Sequence, residues 1–355
     1  MDAFIMYKAT AIEGQGIGPE VTKHGVDLIL RVAERFDFPI SINHIQVDDQ
    51  TYFSIDESKV NDLIGSIKDD DFIIFGAIGA PDKSLDMHGG GLIIDIRQKL
   101  NLFINMRPSR LINDALCPLK EKTDFDLLII RENTEGEYVN IGGRYQKGTK
   151  QEIAVQESIY TAKNTAGTIR YAFEMALGRR RHLTLVDKSN VLTYGHGLWK
   201  ELFYHFSAEF NEVTVDHFYI DAMVAKVIGD PGFFDVIVCP NMFGDILSDL
   251  TAELQGGIGT AGSINLGLTK PFLIEPVHGS APDIAGKGIA NPIGMLHSIC
   301  LMFVHLGRGD VAARIFRIID ELVSEGKTTP DLNGTMTSEQ FMNNVYSRLS
   351  FGETK

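Results

Sequence analysis

The sequence has little of what marks a nucleic-acid-binding, disulfide-stabilised or membrane-spanning protein. It carries 33 Lys and Arg residues against 47 Asp and Glu residues, a formal net charge of −14, and so lacks the basic surface that nucleic acids and anionic membranes require. Its three cysteines, Cys117, Cys239 and Cys300, are widely separated and odd in number, which fits neither a disulfide framework nor a zinc knuckle. We therefore expect a reducing, cytoplasmic location.

A hydrophobic run long enough to span a membrane is also missing. The longest apolar stretch, residues 293–306, is interrupted by His297 and His305 and is shorter than a bilayer requires, so it predicts a buried helix. Residues 1–12 have no basic region followed by a long apolar segment, which predicts a first strand rather than a signal peptide. With 355 residues, 44% of them hydrophobic, the chain predicts two domains or one large α/β unit.

Apolar runs and helical patterns alternate along the chain, which predicts an α/β fold. The glycine-rich turn Gly14-x-Gly16-x-Gly18-Pro19 does not match the G-x-G-x-x-G fingerprint, so a Rossmann phosphate loop is not expected. Residues 256–262 suggest a flexible return. Strands are predicted at residues 7–12, 40–47, 71–78, 127–130, 182–186, 213–220 and 234–239, and helices at 56–68, 92–100, 163–177, 293–306, 310–325 and 338–349.

Two aspartates, Asp245 and Asp249, follow the predicted strand 234–239 and lie four residues apart. On a helix this spacing places both carboxylates on one face, where they repel each other unless a cation lies nearby. A divalent metal site is one interpretation. The alternative is that Asp245 is an N-terminal anion of a helix that begins after Gly244, and that Asp249 is merely exposed.

Other charged side chains follow predicted strands, at the sheet edge where ligands bind in open α/β folds. An arginine is most often a surface residue, but several arginines at element ends in an acidic chain favour carboxylate binding, because the planar guanidinium pairs with carboxylates. The charged residues at predicted element ends are Arg97, Arg107, Arg131, Lys188, Asp221, Asp245 and Asp249.

Five sequence blocks together resemble one enzyme family. They are Gly16-Ile17-Gly18-Pro19-Glu20, Arg131-Glu132-Asn133-Thr134-Glu135-Gly136-Glu137-Tyr138, Asp187-Lys188-Ser189-Asn190-Val191, residues 241–249 and residues 275–286. In this order they resemble the β-decarboxylating dehydrogenases, which act on isocitrate, homoisocitrate, 3-isopropylmalate and tartrate or D-malate. The resemblance implies an α/β, isopropylmalate dehydrogenase-like two-domain fold that is not a Rossmann fold.

The same resemblance implies how the chain is divided and how it assembles. Residues 1–100 plus 259–355 would form a cofactor-side domain. Residues 101–258 would form the dimerisation and metal/substrate domain, with a hairpin near residues 142–155 as a clasp between the subunits of a homodimer. Lys188 and Asp221 would reach the active site across the dimer interface.

Residue roles follow from the matching positions. Tyr138 and Lys188 match the family's catalytic acid–base pair. Mg²⁺ favours oxygen ligands, which three aspartates and the hydroxyl and carboxylate of a 2-hydroxy acid would supply. As a Lewis acid, the cation would stabilise the enolate left by loss of CO₂. The matching metal ligands for Mg²⁺ or Mn²⁺ are Asp221, Asp245 and Asp249, and the matching substrate-binding arginines are Arg97, Arg107 and Arg131.

Residues 278–291 resemble the family's adenosine-binding loop. Asp283 and Ile284 stand where NADP-dependent members carry Lys and Tyr, and a carboxylate accepts hydrogen bonds from ribose hydroxyls but repels a 2′-phosphate. The implied cofactor is therefore NAD, although Gln15 replaces the usual Asp of the glycine turn. The cofactor-binding positions are His278, Gly279, Ala281, Asp283, Ile284 and Asn291.

The segment Gly89-Gly90-Gly91-Leu92-Ile93 differs from the Ser-Leu-Asn of isocitrate enzymes and from the Leu-Trp-Gly of tartrate/D-malate enzymes. Apolar Ile93 would meet the substituent at C3 of the substrate, four residues before Arg97 on one helix face. We expect NAD- and metal-dependent oxidative decarboxylation of a (2R)-malate-type acid: D-malate, tartrate or a 3-substituted malate. The alternatives are 3-isopropylmalate, isocitrate or homoisocitrate dehydrogenase, a metal-dependent hydrolase, and a non-catalytic regulatory subunit.

Overall fold

The computed structural model describes residues 6–46, 57–79, 91–121 and 124–351, and these form the predicted α/β fold. The strands are β1 (Tyr7–Gly14), β2 (Ile40–Ile45), β3 (Phe72–Ala77), β4 (Ile104–Arg110), β5 (Asp126–Glu132), β6 (Gly142–Tyr145), β7 (Ile153–Gln156), β8 (His182–Asp187), β9 (Thr214–Tyr219), β10 (Val236–Cys239), β11 (Gly262–Leu266) and β12 (Phe272–Pro276). The helices are α1 (Gly18–Phe36), α2 (Glu57–Ile67), α3 (Leu92–Lys99), α4 (Ala162–Leu177), α5 (Gly195–Glu209), α6 (Ile220–Gly229), α7 (Asn241–Gln255), α8 (Ile293–His305), α9 (Gly309–Ser324) and α10 (Ser338–Phe351).

Ten strands form one sheet in the order β2-β1-β3-β12-β11-β4-β5-β10-β8-β9. Strands β2, β1, β3 and β12 pair in parallel at one end, and β5, β10, β8 and β9 pair in parallel at the other. Antiparallel pairing of β11 with β12 and β4, and of β4 with β5, joins the two parallel groups. The N-terminal strands therefore lie beside a strand from residues 272–276, as the predicted domain division requires, but the division itself stays a prediction.

Strands β11 and β12 were not predicted, and part of the segment 256–262, which the sequence suggested as a flexible return, has regular structure. A 3-10 helix covers Ile258–Thr260, and β11 begins at Gly262. Polar side chains interrupt the apolar pattern of these strands: Ser263, Asn265 and Glu275 are all buried. Because buried strands are recognised by continuous apolar runs, these polar positions concealed them.

The apolar elements behave as their sequences predict. Strand β3 is buried along its whole length, as expected for a strand covered on both faces. Helix α8 is buried and packs against β11 and β12, which confirms the predicted buried helix. None of the helices within the described ranges is long and apolar enough to cross a membrane. Cys117, Cys239 and Cys300 are buried, and their thiols are free.

The predicted hairpin is present as a separate two-stranded sheet of β6 and β7. All eight residues of these strands are exposed, including Tyr145 (65%), Ile153 (56%) and Val155 (50%). A two-stranded ribbon without a covered apolar face is only marginally stable by itself. This hairpin therefore has the features expected of a segment that is covered by another molecule, and its role as a clasp stays a prediction.

Candidate active site

Two neighbouring antiparallel strands bring Arg107 and Arg131 together. In the β4–β5 register Arg131 lies opposite Asn105, so Arg107, two residues further along β4, is its diagonal neighbour on the same face. Arg107 thus lies inside β4, whereas the sequence placed it at an element end. Both guanidinium groups are buried, and Arg131 is only 1% exposed.

Asp245 pairs with both arginines. Its Oδ1 accepts hydrogen bonds from Nη1 of Arg131 at 2.6 Å and from Nη1 of Arg107 at 3.1 Å. The hydroxyl of Tyr138 donates to Oδ2 of Asp245 at 3.0 Å. Helix α7 begins at Asn241, so Asp245 lies in its second turn, and the alternative that Asp245 is an N-terminal anion of the helix is wrong.

Gly244 allows this arrangement because the stem of Arg131 lies against it. A Cβ added at position 244 would be 2.5 Å from Cγ of Arg131, a separation that real structures essentially never show. The Arg131 side chain is held further by Asn241, whose Oδ1 accepts from both Nε and Nη2. One short segment thus holds Arg131 in three ways: Asn241 accepts its hydrogen bonds, Gly244 leaves room for its stem, and Asp245 is its counter-ion.

Arg97 has its own buried counter-ion, which the sequence did not predict. Nη2 of Arg97 donates to Oε1 of Glu275 at 2.6 Å, and both side chains are nearly buried. Nδ2 of Asn265 donates to the same oxygen at 2.7 Å, and Oδ1 of Asn265 accepts from Asn105 at 2.9 Å. Asn105 in turn accepts from Nε of Arg107 at 2.6 Å. A continuous polar network thus orients both arginines from beneath.

Besides burial, the neighbouring positive charges contribute to lowering the pKa of Arg107 and Arg131. Burial, and then the Arg107 charge, lowers the pKa of Arg131 to about 10. Burial alone would raise the pKa of Asp245, but Arg131 and Arg107 together hold it below its ordinary value. Burial and then Asp245 raise the pKa of Tyr138, which keeps its hydroxyl protonated. A cluster of this kind favours a bound anion, because added negative charge relieves the repulsion among the guanidinium groups.

One cavity brings most of the predicted site residues together. It has a volume of about 190 Å³ and is lined by Arg97, Arg107, Arg131, Tyr138, Asp245, His278, Gly279, Ile93 and a residue that the sequence did not single out, Ile94. Ile93 and Ile94 follow Gly91, which precedes α3 at φ +94°. Gly89 and Gly90, part of the glycine segment singled out above, lie outside the described residues.

Asp249 lies one turn beyond Asp245 on α7 and has no hydrogen-bond or salt-bridge partner among the residues that the structure describes. Burial, and then the Asp245 carboxylate, raises its pKa. Two oxygen-bearing side chains that destabilise each other's charge are suited to a hard divalent cation. The donor set of the predicted metal site fits Mg²⁺ or Mn²⁺ in this respect. Within the described ranges, however, no three His, Cys, Asp or Glu side chains of one chain come close enough to hold a metal.

Lys188 and Asp221 form a pair of their own. Nζ of Lys188 donates to Oδ1 of Asp221, and neither residue lines the cavity described above. The pair is open to solvent, with side-chain exposures of 26% for Lys188 and 70% for Asp221. Asp221 lies in the first turn of α6 rather than at a strand end. Within one chain, the Lys188–Asp221 pair therefore lies outside the cavity that the arginines and Tyr138 line.

Two side chains on the predicted cofactor side have polar atoms without partners in the part of the chain that the structure describes: Nε2 of Gln15 and Nε2 of His278. Nδ1 of His278 donates to the carbonyl of Gly279 at 3.0 Å, so its Nε2 carries a lone pair. Burial lowers the pKa of His278 and keeps the ring neutral. A donor and an acceptor left open near the glycine turn, where the amide of Ile17 donates to the carbonyl of Ser280, fit a dinucleotide.

The rest of the predicted cofactor loop follows β12. Asp283 is exposed, and Ala281 and Ile284 are partly buried. Asn291 is almost buried, and its side chain bonds to Asp331 at 2.8 Å and to the backbone amide of Ile293 at 3.0 Å. These bonds anchor the loop to the start of α8 and to the 3-10 helix Pro330–Leu332, so the Asn291 side chain has a structural task beside its predicted cofactor role.

Comparison with known proteins accounts for this arrangement. A model of the family described as isocitrate/isopropylmalate dehydrogenase matches residues 8–345. The chain is 42% identical over 311 residues to 3-isopropylmalate dehydrogenase of Corynebacterium efficiens, covering 87% of this chain and 90% of that protein. It is 39% identical over 345 residues to D-malate dehydrogenase [decarboxylating] of Escherichia coli K12, covering 94% and 96%.

The fold is also similar to that of isocitrate dehydrogenase from Methylococcus capsulatus. The TM-score is 0.84 with 31% sequence identity, and the match covers 97% of this chain and 99% of that chain. The similar proteins are thus described by three different substrates, each a 2-hydroxy acid.

Proposed function

The chain belongs to the isocitrate/isopropylmalate dehydrogenase family, and we propose that it catalyses the NAD- and divalent-metal-dependent oxidative decarboxylation of a (2R)-malate-type 2-hydroxy acid. Membership of the family makes it an oxidative, decarboxylating dehydrogenase rather than a hydrolase, and the presence of Tyr138, Lys188 and all three aspartates argues against a non-catalytic subunit. The proposed substrates are D-malate, tartrate or a 3-substituted malate.

The observation that carries this proposal is the position of Ile93 and Ile94 in the same cavity as the arginines Arg97 and Arg107. Besides the buried Nε of Arg97, two guanidinium nitrogens, Nη1 of Arg97 and Nη2 of Arg107, have no hydrogen-bond partner among the described residues. They are available to the substrate's carboxylates, while the isoleucines cannot pair a third one. Burying an unpaired carboxylate costs several kcal/mol, which disfavours isocitrate.

The proposed metal and cofactor sites use residues with open positions. Asp245 and Asp249, with the partner subunit's Asp221, would hold Mg²⁺ or Mn²⁺, and His278 and Asp283 would hold NAD. When bound, the cation supplies Lewis-acid polarisation of the substrate's 2-oxygen, and NAD accepts the hydride.

The chain's own residues then handle charge and protons. Arg97 and Arg107 bind and orient the carboxylates, and Ile93 excludes water from the side of C3. The partner subunit's Lys188 takes the proton of the 2-hydroxyl. Tyr138, kept protonated by burial and by Asp245, gives its proton to the carbon from which CO₂ has left.

We further propose that the protein is a homodimer in which Lys188 and Asp221 serve the partner's site. Exposed apolar residues near both parts of the site support this, because large exposed apolar side chains close together mark interaction surfaces. Tyr194, which directly precedes α5, is 95% exposed, and Val191, three residues after Lys188, is 65% exposed. Ile246, next to Asp245, is 52% exposed.

The test is steady-state NADH formation with Mn²⁺ and with D-malate, tartrate, 3-isopropylmalate, isocitrate and homoisocitrate in turn. We expect kcat/KM for isocitrate to be at least roughly a hundredfold below that for the best malate-type acid, which needs only about 3 kcal/mol of the burial penalty in the transition state. Activity should vanish in excess chelator and return with Mn²⁺. Isocitrate turnover equal to that of the malates, preference for NADP, or full activity in chelator would each contradict the proposal.

The second candidate is 3-isopropylmalate as the physiological substrate. Ile94 beside Ile93 favours it, since two apolar side chains would contact an isopropyl group and gain the burial of its methyl groups. A kcat/KM for 3-isopropylmalate more than tenfold above that for D-malate would select this candidate, because a few buried methyl groups contribute roughly 1–3 kcal/mol.

A further inference from the structure

A chain of hydrogen bonds runs beneath Lys188, through residues to which no role has been given so far. The backbone amide of Lys188 donates to Nδ1 of His196 at 2.9 Å. Nε2 of His196 lies 3.1 Å from the hydroxyl of Tyr160. The Tyr160 hydroxyl lies 3.0 Å from Oε1 of Glu137, the residue before Tyr138. The chain thus joins the backbone of the predicted base to the turn that carries the predicted acid.

The donors and acceptors of this chain fit a single proton arrangement. The Lys188 amide can only donate, so Nδ1 of His196 must accept, and the neutral ring then carries its proton on Nε2. The Glu137 carboxylate can only accept, so the Tyr160 hydroxyl donates to it and accepts from Nε2–H of His196. Every bond points toward the Glu137 charge, which polarises the series in one direction.

Packing holds the two rings in place. His196 is 1% exposed and makes edge-to-face contacts with Tyr160, at 5.3 Å between centroids, and with Phe243, at 5.2 Å. Tyr160 lies so close to the start of α5 that a Cβ at Gly195 would be 2.4 Å from its ring. Because Phe243 is on α7, two residues before Asp245, His196 touches both the helix of the arginine–carboxylate cluster and the loop of Lys188.

Building on the proposed function, we propose that His196 is a positioning residue for Lys188, and that Tyr160 ties this position to the turn that carries Tyr138. Lys188 serves the partner's site, whereas Tyr138 serves the site of its own chain. The hydrogen-bonded chain therefore links the two active sites of the homodimer. Neither His196 nor Tyr160 lines the cavity of the arginines.

The position of Lys188 is sensitive to this contact for a geometric reason. The Lys188 side chain has four flexible carbons, and its ammonium is paired with Asp221 near the surface and lies 5.8 Å from the centroid of the Tyr219 ring. The amide of Lys188 is the fixed end of this side chain. Moving a reactive group by about 1 Å can cost about a hundredfold in rate, so loss of the amide anchor is expected to lower kcat more than it changes KM.

Three variants separate the two hydrogen bonds of His196. His196→Leu removes both. His196→Asn keeps an acceptor near the Nδ1 position for the Lys188 amide but cannot reach Tyr160. Tyr160→Phe removes only the hydroxyl and leaves the ring against Gly195. The matched control is Tyr171→Phe, which removes another partly buried tyrosine hydroxyl whose described contact is a weak one to Sδ of Met106 at 3.9 Å.

We expect His196→Leu to lower kcat at least tenfold, with KM unchanged within about twofold, and His196→Asn to recover most of the loss. Tyr160→Phe should lower kcat by a smaller factor, and Tyr171→Phe should leave it unchanged. A merely structural role would lower the unfolding midpoint without separating kcat from KM. The proposal is overturned if kcat of His196→Leu stays within twofold of the unaltered enzyme, if KM rises instead, or if His196→Asn is as slow as His196→Leu.

One measurement does not depend on turnover. Nitrogen NMR of labelled histidine, assigned with the His196→Asn variant, should show His196 as the neutral Nε2–H tautomer at neutral pH. An Nδ1–H tautomer would overturn the proposal whatever the activity. If the unaltered protein forms no NADH with any of the five acids, the proposed function fails, while the tautomer still tests the hydrogen-bonded chain.

Discussion

The two parts of the proposed active site differ in how they are held. The cluster of Arg107, Arg131 and Asp245 is formed within one chain, and its arginine side chains are only 6% and 2% exposed. The Lys188–Asp221 pair is at the surface, where the Asp221 side chain is 70% exposed. Nearly every polar side-chain atom of the Arg107, Arg131 and Asp245 cluster has a hydrogen-bond partner. The charged groups of Lys188 and Asp221 are accessible to solvent.

This difference is consistent with the proposal that the Lys188–Asp221 pair serves the site of a second subunit. Buried charges must be paired within the fold, because an unpaired buried charge is costly. Exposed charges do not need this, so they are free to complete a site on another molecule. Variants of the two parts should therefore differ in how activity and stability change.

The largest expected effect comes from Asp245→Ala, compared with Asp221→Ala. Removing the Asp245 carboxylate leaves Arg107 and Arg131 buried without their shared counter-ion, and should lower the free energy of unfolding by about 2–4 kcal/mol, allowing for the partial exposure of Asp245. Asp221→Ala should leave the urea midpoint unchanged. Both changes should lower kcat/KM at least roughly a hundredfold, since both remove a proposed metal ligand. Equal losses of stability in the two variants would contradict the comparison.

The next effect is a dependence of stability on pH that arises in the buried part of the molecule. Burial, and then Arg110, lowers the pKa of His297 from 6.5 to about 3. Between pH 6.5 and pH 3, His297 is therefore protonated in the unfolded chain but neutral in the native state. The free energy of unfolding is highest above pH 6.5 and decreases as the pH falls toward 3. By pH 4.5 the loss should be roughly 2–3 kcal/mol.

The measurement for this prediction is urea unfolding at pH 7 and pH 4.5 for the unaltered protein and for His297→Asn. Asn can still donate to the carbonyl of Thr260, which His297 bonds at 2.7 Å, but it has no group that titrates in this range. The matched control is the exposed His205→Asn. If His297→Asn loses as much stability between the two pH values as the unaltered protein does, the prediction fails.

A smaller effect is expected from Gly244→Ala. The added methyl group must displace the Arg131 stem, which should cost about 1–3 kcal/mol of stability and lower kcat/KM because the arginine no longer faces Asp245 correctly. Gly65→Ala in α2 is the control, since a Cβ there meets nothing within 4 Å, and Ala is the better helix former. Stability equal to or above that of the unaltered protein in Gly244→Ala would show that the Arg131 stem is not constrained there.

The sequence predicted those features that depend on local pattern. The continuous apolar runs gave β3 and α8, and the helical spacing of Asp245 and Asp249 placed both carboxylates on one helix, as α7 confirms. It did not predict Glu275 as the partner of Arg97, because these residues are 178 positions apart.

His196 was missed for a related reason. Its proposed role depends on contacts with Tyr160 and with the Lys188 amide, and a single histidine at the start of a helix gives no sign of either contact. The strand that carries Asn265 was missed because polar residues in a sequence usually indicate a loop. The hydrogen bonds that allow Asn265 to be buried are visible only in the structure. The residue pattern of one segment does not indicate which distant segment it contacts.

The most direct test of the shared active site uses hybrids of two inactive variants, Lys188→Met and Tyr138→Phe. In a hybrid dimer, the site with intact Tyr138 receives the intact Lys188 of the other subunit if the base acts across the interface. Unfolding and refolding an equal mixture should then restore about one quarter of the unaltered activity, since half of the dimers are hybrids with one complete site of two. Activity of the refolded mixture no higher than that of the separate variants would contradict the account.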